Sequence, residues 1–207
     1  MDRGKIRIAV LVSGGGTNLQ ALIDAQKSGV IQSGKIELVV SNKPDAFALE
    51  RAKIAGIPTA VVQKRKGARE FEKNLIGLLQ ENKIDLIVLA GFMVILSKEF
   101  VSRFEKRIIN VHPSLIPSFC GEGFYGLRVH EAALRYGVKV TGATVHFVNE
   151  IPDGGEIILQ KAVAIRENDT PESLQKRVMR LAEWKILPAA VQKVSQKMME
   201  EKENGNL

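Results

Sequence analysis

Cysteine, aromatic residues and long apolar runs are all scarce in this 207-residue chain, and each shortage excludes something. Cys120 is the single cysteine, so no intramolecular disulfide can form and a reducing, intracellular setting is expected. A nucleophilic Cys120 would need a neighbour that stabilises its thiolate, which the sequence does not supply. Aromatics make up 5% of residues, and none interleaves with the richest basic cluster, Lys64-Arg65-Lys66 with Arg69. A single-stranded nucleic-acid surface would lack its stacking platforms there, so the cluster reads as a solvated loop, with a nucleic-acid patch as the alternative. Met1 to Ile6 is short and charged, and the apolar run after it is far shorter than a signal peptide or membrane span. A soluble, cytoplasmic protein with no nucleic-acid or membrane partner is therefore expected. The three histidines, His112, His130 and His146, show neither His-Glu-x-x-His nor paired-cysteine spacing, and no metal site is expected.

What is present is ordinary for a globular domain. The chain is 45% hydrophobic and 26% charged, enough for one core. Its net charge of +7 favours anionic partners such as phosphate esters or carboxylated cofactors, without choosing among them.

Ile6 to Val12 is a near-continuous apolar, β-branched run, the pattern of a parallel strand buried on both faces. Glycines 14 to 16 follow, and then Leu19, Leu22 and Ile23 recur at helical spacing to about Lys27. Strands over 36–41, 57–62 and 84–90 alternate with helices over 46–55 and from Phe71 to Leu79. This alternation implies an α/β fold with an open, mostly parallel twisted sheet and right-handed crossovers. Ser97 is placed to cap a short helix carrying Phe100 and Phe104. Residues 118–126 form a Gly-rich, aromatic loop too long for a tight turn. Segments 138–148 and 156–165 alternate more strongly, as an antiparallel portion joined by the turn Pro152-Asp153-Gly154-Gly155. Thr170-Pro171 opens a long C-terminal helix to about Met199, and residues 200–207 read as a polar, frayed tail. Residues 1–199 are then one domain.

Two constellations carry chemistry. A strand that feeds glycines into a helix start offers free N–H groups and the positive end of a helix dipole, a physical site for phosphate. Leu19 stands where the dinucleotide fingerprint needs glycine, and no Gly-Lys-Ser/Thr follows. The loop thus reads as a monophosphate site on Gly16, Thr17 and Asn18, or as a purely structural turn. The second constellation is Ile108-Ile109-Asn110-Val111-His112-Pro113-Ser114-Leu115-Ile116-Pro117. Its prolines stop a strand, and Asn110 and His112, two apart, share one face. An amide can hold a developing oxyanion, and an imidazole beside a carboxylate such as Asp153 can act near neutral pH. Turn capping alone is the alternative.

Five blocks then occur in order: Ser13-Gly-Gly-Gly-Thr-Asn-Leu-Gln20, Val40-Ser-Asn-Lys-Pro44, Leu89-Ala-Gly-Phe-Met93, Asn110-Val-His-Pro-Ser-Leu-Ile-Pro117, and Val145-His-Phe-Val148 with Asp153-Gly-Gly155. From Ile6 to about Val191 the chain resembles the phosphoribosylglycinamide formyltransferases, the folate-dependent family of purine synthesis. The resemblance implies a Rossmann-like formyltransferase fold, 10-formyltetrahydrofolate as co-substrate, small-molecule partners, and a monomer or homodimer. It places the substrate phosphate on Gly16, Thr17 and Asn18, the substrate amine on Glu183, and catalysis on Asn110, His112 and Asp153. Folate would be held by Arg69, by the hinge segment Met93, Val94, Ile95 and Leu96, by Asn110, and by the loop Asn149, Glu150, Ile151, Pro152 and Asp153. Val94 stands where some members have arginine, and the 118–126 loop is longer than the family's shorter version.

The implied reaction is attack of the substrate amine on the formyl carbon, with Asn110 and a His112 kept cationic by Asp153 stabilising the oxyanion. Asp153 would also order a water that shuttles the amine proton. Three rivals use the same residues or fewer. A formylfolate hydrolase implies an added N-terminal domain, a methionyl-tRNA formyltransferase implies a further RNA-binding domain, and a phosphate-binding module needs the glycine loop alone.

Overall fold

The computed structural model describes residues 4–64 and 67–205, so Arg65 and Lys66 of the basic cluster lie outside the described residues. The first half runs β1 (Ile6–Val12), α1 (Thr17–Lys27), β2 (Gly34–Ser41), α2 (Phe47–Ile54), β3 (Thr59–Val61), α3 (Ala68–Glu81) and β4 (Leu86–Leu89). The second runs α4 (Lys98–Arg103), β5 (Ile108–His112), α5 (Leu127–Tyr136), β6 (Val140–Phe147), β7 (Ile157–Ala164), α6 (Pro171–Val178), a π-helical turn (Met179–Glu183) and α7 (Trp184–Glu203).

The strands form one seven-stranded sheet in the order β3-β2-β1-β4-β5-β6-β7. The first five are parallel; β6 runs antiparallel to β5, and β7 antiparallel to β6. β1 shows why its sequence has no polar face. Ile6, Ile8, Val10 and Val12 pack into a core shared with α1 and α7, whereas Ala9 and Leu11 pack into the opposite core with Phe71, Leu75 and Leu79 of α3. Each fully buried Leu or Ile of this kind contributes about 2 kcal/mol of hydrophobic stabilisation. Among the described residues, no helix is long and apolar enough to cross a membrane.

Differences from the sequence reading have local causes. α5 carries little helical signal in its sequence, because Gly126 gives it no side-chain cap and its inner face is small, with Val129, Ala132 and Ala133 buried. The long C-terminal helix is present without a break, but it changes from α to π and back within its length. Thr170 accepts from the Ser173 N–H at 3.2 Å while Ser173 Oγ accepts from the Thr170 N–H at 3.0 Å, and Pro171 takes the first turn. The π turn over 179–183 then leads directly into α7, which continues to Glu203, past Met199.

Candidate active site

The parallel strands end together, and β1 lies between β2 and β4, whose crossovers leave in opposite directions. Open α/β sheets place their crevice at that point, outside the strand carboxyl ends. A cleft of about 740 Å³ opens beside that point, beyond the ends of β4 and β5, lined by residues 91–96, 110–113, 121–126 and 148–153 with His146. The hinge segment Met93 to Leu96, the loop Asn149 to Asp153, and Asn110 and His112 thus face one space. Val94 packs against the core on the α3 side. Arg69 is exposed in the first turn of α3, away from this lining.

Asn110 and His112 project from β5, opposite His146 and Thr144 of β6. His146 Nδ1 is 2.8 Å from the Phe147 carbonyl, which can only accept, so Nδ1 donates and Nε2 is left to accept from Asn110 Nδ2 at 3.2 Å. The Asp153 carboxylate bridges both rings, with Oδ2 3.4 Å from His112 Nδ1 and Oδ1 3.5 Å from His146 Nε2. Its backbone is left-handed (φ 56°), a conformation aspartate tolerates better than most residues. The turn behind it needs glycine, because a Cβ on Gly155 would lie 1.7 Å from the Phe147 carbonyl oxygen. Asn149 shapes the loop internally, accepting from the Ile151 N–H at 3.0 Å and donating to the Gly154 carbonyl at 3.2 Å.

The charge state of His112 departs from the sequence reading. Burial lowers its pKa more than Asp153 and the Phe119 carbonyl raise it, so the ring is neutral at pH 7 rather than cationic at rest. Burial alone would lift Asp153, but the two histidine rings beside it and the Gly121 N–H together bring it below the usual carboxylate value. The 118–126 loop lies directly on this group: His112 Nε2 donates to the Phe119 carbonyl at 2.9 Å, and the Gly121 N–H donates to Asp153 Oδ2 at 2.9 Å. Cys120, from the same loop, is a protonated thiol raised by burial and by Asp153, with Sγ 3.2 Å from the Pro117 carbonyl, which leaves no activated nucleophile. Among the described residues, no three His, Cys, Asp or Glu side chains gather as a metal site.

Gly16, Thr17 and Asn18 stand at the start of α1. Gly16 is left-handed (φ 71°), and a Cβ there would meet the Ala48 Cβ at 2.6 Å, so only glycine fits between the loop and α2. No side chain caps the helix, leaving its first N–H groups available for an anion. Arg51, which the sequence reading passed over, donates to the Gly15 carbonyl at 2.8 Å and adds a cation beside the loop. The Asn18 side chain turns inward, away from an anion, and donates to Glu183 Oε2 at 2.7 Å. Glu183 lies in the π turn, and burial pushes its pKa up to about 7 against that single hydrogen bond. Among the described residues no donor reaches Asn18 Oδ1, which is buried.

His146, which stands in the Val145-His-Phe-Val148 block but has no role assigned from the sequence, also belongs to the site. Its signal was its place one strand from Asn110, which the alternation of β6 alone does not reveal.

The formyl transferase family profile matches residues 6–191. The chain is 44% identical over 200 residues to phosphoribosylglycinamide formyltransferase of Haemophilus influenzae, covering 96% of this chain and 91% of that protein. It is 46% identical over 208 residues to the human trifunctional purine biosynthetic protein adenosine-3, covering 100% of this chain and 20% of that protein. The chain thus spans about a fifth of the length of the trifunctional relatives it matches. Among solved structures, glycinamide ribonucleotide transformylase 1 from Symbiobacterium toebii superposes with a TM-score of 0.87 at 40% identity, over 95% of this chain and 90% of that one. Agreement in sequence and in fold over nearly the whole length places the chain in the formyl transferase family, among the phosphoribosylglycinamide formyltransferases.

Proposed function

We propose that this chain transfers the formyl group of 10-formyltetrahydrofolate to the amine of 5'-phosphoribosylglycinamide. The observation that carries the proposal is the grouping of Asn110, His112 and Asp153 at one wall of the 740 Å³ cleft, with the hinge segment and the 149–153 loop forming the others. Residues 1–199 act as one catalytic domain, the first half holding the ribonucleotide and the second the folate.

The first-turn N–H groups of Thr17 and Asn18, after the glycine at 16 and beside Arg51, hold the phosphate. Glu183 and the Asn18 Oδ1 acceptor hold the amine, which satisfies a buried oxygen that has no donor of its own. Met93 to Leu96 and Asn149 to Asp153 grip the pterin, with Arg69 toward the tail of the folate. Asn110 spends one amide N–H on His146 and keeps the other for the formyl oxygen. The His112 Nε2–H moves from the Phe119 carbonyl to the same oxygen as negative charge builds there. Asp153, 3.4 Å from Nδ1 of His112, receives the amine proton through a water, and that proton passes to the folate nitrogen as its bond to the formyl carbon breaks.

Asn110→Ala, His112→Ala and Asp153→Asn each remove one of these roles. Each loses about 3 kcal/mol of transition-state stabilisation, or roughly a hundredfold in kcat, while still binding folate. Rates equal to wild type in all three would overturn the assignment.

A further inference from the structure

From Gly91 to Ser97, between β4 and α4, the chain is neither helix nor strand, and residues 91–96 of it line the cleft. It nonetheless presents Met93 and Ile95 there, 51% and 75% exposed. A segment without a hydrogen-bonded ladder keeps its shape only if its ends are fixed from outside. Two side chains from distant parts of the sequence do so. Ser13, buried at the exit of β1, accepts from the Met93 N–H at 2.8 Å and donates to Asn42 Oδ1 at 2.6 Å. Glu72, nine-tenths buried on α3, accepts from the Ser97 N–H at 2.7 Å through one carboxylate oxygen and from the Ser97 hydroxyl at 2.6 Å through the other. The Ser97 oxygen in turn accepts from the Phe100 N–H at 3.2 Å and caps α4. Phe71, next to Glu72, stacks at 6.4 Å on Phe92.

Neither Ser13 nor Glu72 lines the cleft. A carboxylate buried to this degree is costly unless each oxygen is used, and both oxygens of Glu72 serve one residue at the end of the segment. We propose that Ser13 and Glu72 are positioning residues for the formyl donor, acting on it only through the backbone between Met93 and Ser97. The inference rests on the proposed function, since it takes that segment as the pterin grip.

The test varies 10-formyltetrahydrofolate and glycinamide ribonucleotide separately in steady-state assays of the full chain. Ser13→Ala and Glu72→Ala raise KM for the folate about tenfold, because small displacements of a binding segment are amplified in affinity. The KM for the ribonucleotide and the kcat at saturating folate stay within about twofold. Glu72→Gln, whose amide oxygen still accepts from the Ser97 N–H, brings the folate KM back to within about threefold of wild type. Should Glu72→Ala fail to fold, Ser97→Ala, which keeps the backbone contact and loses only the hydroxyl, gives an intermediate rise. An unshifted folate KM, an equal rise in both KM values, or a loss confined to thermal stability overturns the proposal. Wild-type turnover is measured first. Its absence sinks the proposed function itself, whereas turnover with an unshifted folate KM in the variants sinks the positioning role alone.

Discussion

Glu183→Gln separates the stability of this protein from its function. The wild-type carboxyl has a pKa pushed from 4.5 to about 7 by burial, with the Asn18 amide as its hydrogen-bond donor. Between those two values the folded state holds more protons than the unfolded one, so stability falls as pH rises through the window and is level above it. The full displacement corresponds to about 3 kcal/mol. Glutamine keeps an oxygen for the Asn18 amide and carries no charge. The variant therefore matches wild type near pH 4.5 and exceeds it at pH 8 by about 3 kcal/mol, roughly 6 to 12 °C in Tm for a chain of this size. His130 contributes with the opposite sign: burial and the nearby His112 lower it from 6.5 to about 4, so its stabilisation is lost as pH falls through that range. In wild type the two slopes oppose each other between pH 4.5 and 6.5, and the substitution uncovers the histidine slope. Thermal melts of the ligand-free protein from pH 4.5 to 8.5 measure this directly. A gap between variant and wild type that stays constant with pH would refute the buried-carboxylate account. If Glu183 also holds the amine, the more stable variant has the higher KM for the ribonucleotide.

Gly16→Ala places a Cβ 2.6 Å from the Ala48 Cβ on a left-handed backbone, and should cost about 2 kcal/mol or more in urea unfolding as well as weakening phosphate binding. A variant as stable as wild type would show that the loop relaxes freely. Thr170→Ala removes the N-cap acceptor of α6 and should lower stability by about 1 kcal/mol without changing kcat, checked by paired melts and assays.

The parallel half of the fold was legible because its strands are apolar on both sides and its loops are marked by glycine. The antiparallel portion was legible from alternation, and the Ser97 and Thr170 caps from residue type alone. The elements that were missed share one trait, since their definition comes from partners remote in sequence. α5 begins without a cap, and the π turn carries Glu183, which meets Asn18 near the start of the chain. The candidate site shows the same division. Asn110 and His112 followed from spacing, whereas the inward turn of Asn18, the place of His146 and the neutral state of His112 depend on burial and cross-strand register. Residue pattern alone does not bring Asp153 to His112; the resemblance implies that meeting, and neither shows the burial that outweighs it.

Formyl transfer to the ribonucleotide is tested by mixing the wild-type protein with 10-formyltetrahydrofolate, with and without glycinamide ribonucleotide, and following the absorbance of the deformylated folate. Turnover that requires the ribonucleotide, with formylated amine appearing in equal amount, is the predicted result. Turnover without it would make the chain a hydrolase, and no turnover in either mixture would leave the glycine loop as a phosphate-binding site without the proposed chemistry.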